Sequence, residues 1–143
     1  IDILLPRYLM DRVTPEIRAK IMSSVGTKNT CAELELRRII HKLGYRYSLH
    51  RSDLPGKPDM AFPCRRKIIF VHGCFWHGHS CKWGRLPKSR QSYWASKIET
   101  NCRRDRRQQR RLRALGWSVM VVWQCHLRSG EGVIMRVRRF LGE

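Results

Sequence analysis

Apolar residues recur along this chain at two spacings, and the changes between them divide it into elements. From Thr30 onward, Ala32, Leu36, Ile39, Ile40 and Leu43 fall three and four residues apart, which is one face of a helix. Thr30 is placed to cap that helix, Glu33 three residues on completes a capping box, and Gly44 ends it. Upstream, Thr14-Pro15-Glu16 gives the start signal of a shorter helix through Ile17, Ile21 and Met22 before Gly26. Strand-like patterns then take over. Residues 45–49 alternate weakly, and 59–62 form a short apolar run after the turn Leu54-Pro55-Gly56-Lys57-Pro58. Residues 67–71 are β-branched and apolar enough to be a central strand. Helical spacing returns over 92–115, with Trp94, Ile98, Leu112 and Leu115 on the apolar side and Gly116 as the stop. Residues 117–123, WSVMVVW, read as a buried strand. Residues 132–141 read as a closing helix with Ile134, Val137 and Leu141 inward. This order predicts an α/β fold in which helices flank a central mixed β-sheet. Residues 1–13 show no period and are read as a leader, with 14–143 forming one domain.

Charge narrows the partners. Thirty Lys and Arg against eleven Asp and Glu give the chain a formal +19. Such a surface repels itself and is relieved by a polyanion, with nucleic acid favoured. No stretch approaches the roughly 20 apolar residues that a membrane span needs, so no membrane role is expected. The opening IDILLPRYLM does not read as a signal peptide. Six cysteines without export signals point to a reducing, cytoplasmic setting, where Cys clusters with His bind metal more often than they form disulfides.

Residues 70–81, FVHGCFWHGHSC, hold three of the six histidines and two of the six cysteines. Cys74, His79 and Cys81 form C-x4-H-x-C, three ligands suited to a tetrahedral zinc ion. Cys125, just past the 117–123 strand, is the preferred fourth ligand and His126 the second choice. With all four ligands from protein the site would be structural. Reduced core cysteines and a surface histidine are the plainer alternative. Asp59, at a strand end after a rigid proline turn, suits a hard cation such as Mg²⁺. Strand parity sets Ile68, Phe70 and His72 on one face, so His72 emerges where the strand stops being apolar. His77 lies between the expected zinc ligands Cys74 and His79. Two histidines and an aspartate around one phosphate could supply a metal site, a proton acceptor and a charge stabiliser. Structural roles for the same residues compete evenly, and the capping box already accounts for Glu33.

Phe75 and Trp76, adjacent and flanked by polar residues, are expected to be exposed and to stack on or wedge between bases. Trp94 either joins them or packs under the long helix. Residues 103–113 carry seven arginines with only Asp105 to offset them, a density that favours phosphate contact over a merely solvated face.

LPGKPD at 54–59, FVHGCFWHGHSC at 70–81, YWASKI at 93–98, RRD at 103–105 and GWSVMVVWQC at 116–125 together resemble the Vsr-type very-short-patch-repair mismatch endonucleases. The similarity runs over about residues 14–128. The resemblance implies a restriction-endonuclease-like, PD-(D/E)xK-type fold and an enzyme that nicks DNA 5′ of the thymine in a T·G mispair. It implies that Asp59 binds Mg²⁺ together with the backbone carbonyl of Val71. His77 would orient or deprotonate the attacking water, His72 would assist, and Glu33 would support the site. Cys74, His79, Cys81 and Cys125 match structural zinc ligands. Phe75, Trp76 and Trp94 match an aromatic wedge, Met22 matches an insertion from the minor-groove side, and Lys97 and Asn101 match DNA contacts. Arg103 and Arg104 are added as phosphate contacts. Val71 stands where the best-known members carry Thr, to which a carbonyl ligand is indifferent, and Gln124 stands where Glu is common. The expected partner is duplex DNA bearing a T·G mismatch, bound by a nucleoid-associated monomer with mismatch-repair proteins as accessory partners. A Vsr-like nuclease cutting a specific paired sequence, and a non-catalytic zinc-stabilised DNA-binding module, are the competing readings.

Overall fold

The structure is a computed structural model that describes residues 14–17, 30–128 and 130–142. Four strands, β1 (Ser48–Leu49), β2 (Met60–Phe62), β3 (Lys67–His72) and β4 (Ser118–Trp123), form one sheet in the order β1-β2-β3-β4. The first two junctions are antiparallel and β3–β4 is parallel. A parallel neighbour needs a long crossover, and the 24-residue helix α2 (Gln91–Ala114) supplies it. Helix α1 (Cys31–Lys42) precedes the sheet, while a short α3 (Gln124–Leu127) and α4 (Glu131–Leu141) follow β4.

Alternation along the strands builds two cores. Met60, Phe62, Ile69 and Val122 face Ala32, Leu36 and Ile40 of α1 and Val133, Val137 and Leu141 of α4. Ala61, Ile68 and Phe70 face the other way, onto Leu112 and Trp117. The fold is thus three layers, with α1 and α4 on one face of a mixed sheet and α2 on the other. The sheet ends β2, β3 and β4 carry chemistry because apolar alternation stops there.

Thr30 caps α1 as expected, its hydroxyl accepting from the Glu33 N–H. Thr14 does the same for the helical turn over 15–17. Met22 and the expected leader lie outside the described residues. Several expectations need correction. The weak strand over 45–49 shortens to two residues. Residues 117–123 are mostly half-buried, with Val122 fully enclosed, because β4 ends the sheet order. Leu115 is 54% exposed rather than inward, since the chain leaves the helix there and Trp117 takes its place in the core. In α4 the inward set is Val133, Val137 and Leu141, with Ile134 half-buried.

Candidate active site and metal centre

Three clusters of metal-binding residue types converge at the C-terminal end of β3 and the loop that follows it. The first holds Asp59, which enters β2, with Glu33 on α1 and His50 at the end of β1. The Val71 N–H donates to Asp59 Oδ2 at 2.7 Å, pinning that carboxylate to the strand end. Glu33 is 2% exposed, and its Oε2 accepts from Arg37 Nη2 at 2.9 Å and faces His50 Nε2 at 3.1 Å. Burial pushes Asp59 up to about 7; the Val71 amide opposes this, and the neighbouring Glu33 adds to it. A buried and a half-buried carboxylate in such proximity form an acidic pair that a cation would relieve.

The second cluster joins His72, His77 and Asp105. The two imidazoles stack with centroids 3.9 Å apart and planes 6° from parallel. His77 Nδ1 meets Asp105 Oδ2 at 2.5 Å. Burial would raise Asp105, but the His77 hydrogen bond and nearby positive charge outweigh it and hold the carboxyl below its usual range. An ionised carboxylate can only accept. His77 Nδ1 therefore carries the proton of that bond, and Nε2 is the ring nitrogen that Asp105 does not engage. Burial, with His77 alongside, pushes His72 down to about 3, so at neutral pH it is an uncharged imidazole.

Asp105 was missed as a site residue in the sequence, where it only offsets arginines. Its signal was its position seven residues from both Ile98 and Leu112, on the inward face of α2. The same face braces the loop. Asn101 Nδ2 donates to the Trp76 carbonyl at 2.9 Å, and Cys102 Sγ reaches the His77 carbonyl at 3.2 Å. Gly78, at φ +66°, passes so close to Ile98 and Cys102 that a β-carbon would collide with both. Asn101, expected against DNA, is therefore buried and committed to the loop backbone.

The third cluster is Cys74, His79, Cys81 and Cys125, whose ligand atoms lie within 4.8 Å of one another. Four groups of this type at such separations could hold a metal ion. All three cysteines are unpaired thiols. Burial pushes Cys74 up to about 12. Burial also acts to raise Cys81, but hydrogen bonds from His79 and the Trp83 backbone, among others, bring it down to about 6. The Cys125 N–H points to Cys74 Sγ at 3.4 Å. His126, the second-choice ligand, instead faces Arg136 Nη1 at 2.7 Å. Trp123 ties the clusters together: it stacks on His79 at 4.3 Å and meets His72 edge-on at 5.3 Å.

The expectation of exposure fails for Phe75, which is 3% exposed, and of the two readings of Trp94 the packed one is seen, since it is 0% exposed and meets Phe75 edge-to-face at 5.2 Å. Both are covered because α2 crosses directly beside the loop. Trp76 lies against them, half-buried. Lys97, Arg103 and Arg104 are exposed on α2. Arg103, Arg106, Arg107 and Arg110 line an open groove of about 470 Å³ on its solvent side.

A strongly basic α/β protein that brings an acidic pair and a His–Asp pair to one strand end has the make-up of a nuclease. The family model described as DNA mismatch endonuclease Vsr matches residues 10–83. A type II nicking enzyme, V.XorIIP, of Xanthomonas oryzae pv. oryzae is 52% identical over 133 residues, covering 93% of this chain and 98% of that protein. The DNA mismatch endonuclease Vsr of Escherichia coli is 40% identical over 114 residues, covering 80% and 73%. A type II nicking enzyme, V.NmeAIP, of Neisseria meningitidis is 35% identical over 135 residues, covering 94% and 96%. The chain belongs to the Vsr family and is an endonuclease that hydrolyses DNA phosphodiester bonds. DNA is its partner, and its family is metal-dependent. Among the described residues no helix is long and apolar enough to cross a membrane.

Proposed function

We propose that this enzyme makes a single-strand nick 5′ of the thymine in T·G mispairs, using Mg²⁺ at Asp59 and a structural zinc at Cys74, His79, Cys81 and Cys125. The observation that carries the reading is the His77–Asp105 pair set across the end of β3 from the acidic pair of Asp59 and Glu33.

The donor sets fit both ions. Zn–S and Zn–N bonds of about 2.3 and 2.05 Å in a tetrahedron space sulfur and nitrogen roughly 3.6 Å apart, and Cys125 Sγ lies 3.5 Å from His79 Nδ1. Oxygen donors suit Mg²⁺. In an extended strand, one residue's N–H and C=O point to the same neighbour. The Val71 amide bond to Asp59 thus turns the Val71 carbonyl toward Asp59 as well, which supports that carbonyl as a second ligand. When bound, Mg²⁺ supplies positive charge against the phosphate oxygens and the leaving group.

The chain's own groups do the rest. Asp105 holds His77 with Nε2 free to take a proton from water attacking the phosphorus. His72, neutral and stacked on His77, fixes the plane of that ring and hydrogen-bonds phosphate or water. Glu33 supports the acidic side. The arginines of α2, Arg103 and Arg104 among them, neutralise backbone phosphates, and Lys97 contacts the duplex near the mispair. Trp76, with Phe75 and Trp94 behind it, provides the wedge, which selects a mispair because unstacking costs least there. Met22 contributes from the other groove. Residues 14–143 act as one catalytic domain and as a monomer in the cytoplasm, with mismatch-repair proteins as candidate partners.

A second reading, nicking at a specific paired sequence, is favoured by the burial of Phe75 and Trp94, which leaves Trp76 as the partly accessible ring. One assay separates the two. Duplexes identical except for a T·G or a paired T·A are incubated with the protein and Mg²⁺. A nick confined to the T·G strand is expected, and equal cleavage of both would transfer the function to the second reading.

A further inference from the structure

We infer that His50 and Arg37 are positioning residues that together hold the Glu33 carboxylate in place for the divalent cation of Asp59. The inference rests on the cation reading of Asp59 given above.

Glu33 lies on the core side of α1 between Ala32 and Leu36, where an ionised carboxylate is costly without partners. Besides Asp59, two polar neighbours converge on a single Glu33 oxygen. Arg37, one turn along α1, donates through Nη2 to Oε2 at 2.9 Å, and His50 Nε2 lies 3.1 Å from the same Oε2. The His50–Arg37 contact of 3.2 Å is the third side of this triangle. With the carboxylate ionised, Oε2 accepts from both, and the 3.2 Å side is two donors sharing one acceptor. The carboxylate is thereby fixed in position and rotation, with its second oxygen not engaged by this pair.

The backbone shows the same bias. His50 has φ +44°, a left-handed conformation that is uncommon for a residue with a β-carbon. That conformation ends β1 and brings the imidazole 17 residues back along the chain to Glu33. Arg37 keeps its Nη2 on Glu33 although, among the described residues, its buried Nε has no hydrogen-bond partner. Asp59 needs no such clamp, because the Val71 amide already orients it. Partners of this outer kind fix the geometry of metal ligands, and removing one costs about 10–100-fold in affinity or activity.

The test measures Mn²⁺ binding to the zinc-loaded full chain by calorimetry without DNA, beside the Mg²⁺ concentration giving half-maximal nicking. His50→Ala and Arg37→Met are each expected to weaken Mn²⁺ binding about tenfold or more and to raise the Mg²⁺ requirement. His50→Gln keeps an N–H donor and is expected to restore most of the affinity. Wild-type affinity in folded His50→Ala and Arg37→Met would overturn the inference. Equal loss in His50→Ala and His50→Gln would overturn it too, making His50 a direct ligand instead. Asp59→Ala separates the two levels. If it abolishes binding while the His50 and Arg37 variants keep it, only the positioning role fails. If Asp59→Ala itself binds Mn²⁺ normally, the cation reading fails first.

Discussion

Asp105 Oδ2 sits 2.5 Å from His77 Nδ1, although 28 residues separate the two in the chain. The bond joins a long helix to the loop after β3 and selects one tautomer of the histidine. Asp105→Asn removes the anion that demands a proton on Nδ1. Nicking under single-turnover conditions is expected to fall by about 10²–10⁴, the usual worth of a positioned general base, with DNA binding close to wild type. A rate within threefold of wild type would remove Asp105 from the mechanism. His77→Ala is expected to lose at least as much.

Much of the candidate site was legible before the fold because its candidate ligands are local. Cys74, His79 and Cys81 sit within one turn-rich loop, and strand parity alone put His72 at the open end of β3. Cys125 was reachable because a parallel neighbour of β3 ends beside that loop, and the Val71↔Val122 and His72↔Trp123 register does bring it there. What could not be read were pairings made by packing. Asp105 looked like a stray acid among arginines until α2 turned it inward, and Arg37 and His50 gained meaning only once Glu33 was buried. Phe75 was misjudged for the same reason, since nothing in its neighbours announces that α2 will cover it.

The acidic pair makes stability depend on pH in a defined direction. Asp59 is raised from 3.8 to about 7, chiefly by burial. The folded chain therefore binds this proton more tightly than the unfolded one, so the contribution is full below about 3.8 and is lost as pH rises through about 7. In buffer without Mg²⁺, the Tm of wild type relative to Asp59→Asn is expected to decline across that window and level off above it. Added Mg²⁺ should recover wild type but not the Asn variant at pH 8. A difference in Tm that is flat with pH would show that Asp59 titrates alike in the folded and unfolded chains.

The Cys/His cluster makes a separate demand. A structural zinc contributes folding free energy directly, so Cys81→Ser is expected to lose bound zinc and melt at a distinctly lower temperature, with DNA binding lost in step. Gly84→Ala tests the same loop without touching a ligand, because a β-carbon there would overlap the His79 carbonyl oxygen. Its zinc content and Tm should fall together. Normal zinc content in Gly84→Ala would mean that the loop yields without disturbing His79.

The aromatic cluster separates packing from recognition. Phe75 is enclosed by Trp94 and Trp76, so Phe75→Ala should leave a cavity and cost roughly 3–5 kcal/mol. Trp76 is half-buried and retains surface to present to DNA. Trp76→Ala is therefore expected to change stability less than Phe75→Ala while reducing the ratio of T·G to paired-duplex cleavage. Base-stacking contacts are worth about 1–3 kcal/mol each, which predicts a loss of discrimination of roughly 5- to 150-fold. Chemical-denaturation midpoints and paired cleavage rates measure the two effects separately. If Trp76→Ala keeps full discrimination, the selection of the mispair lies elsewhere on the DNA-facing surface, and the cluster of Phe75, Trp76 and Trp94 serves only to pack the loop against α2.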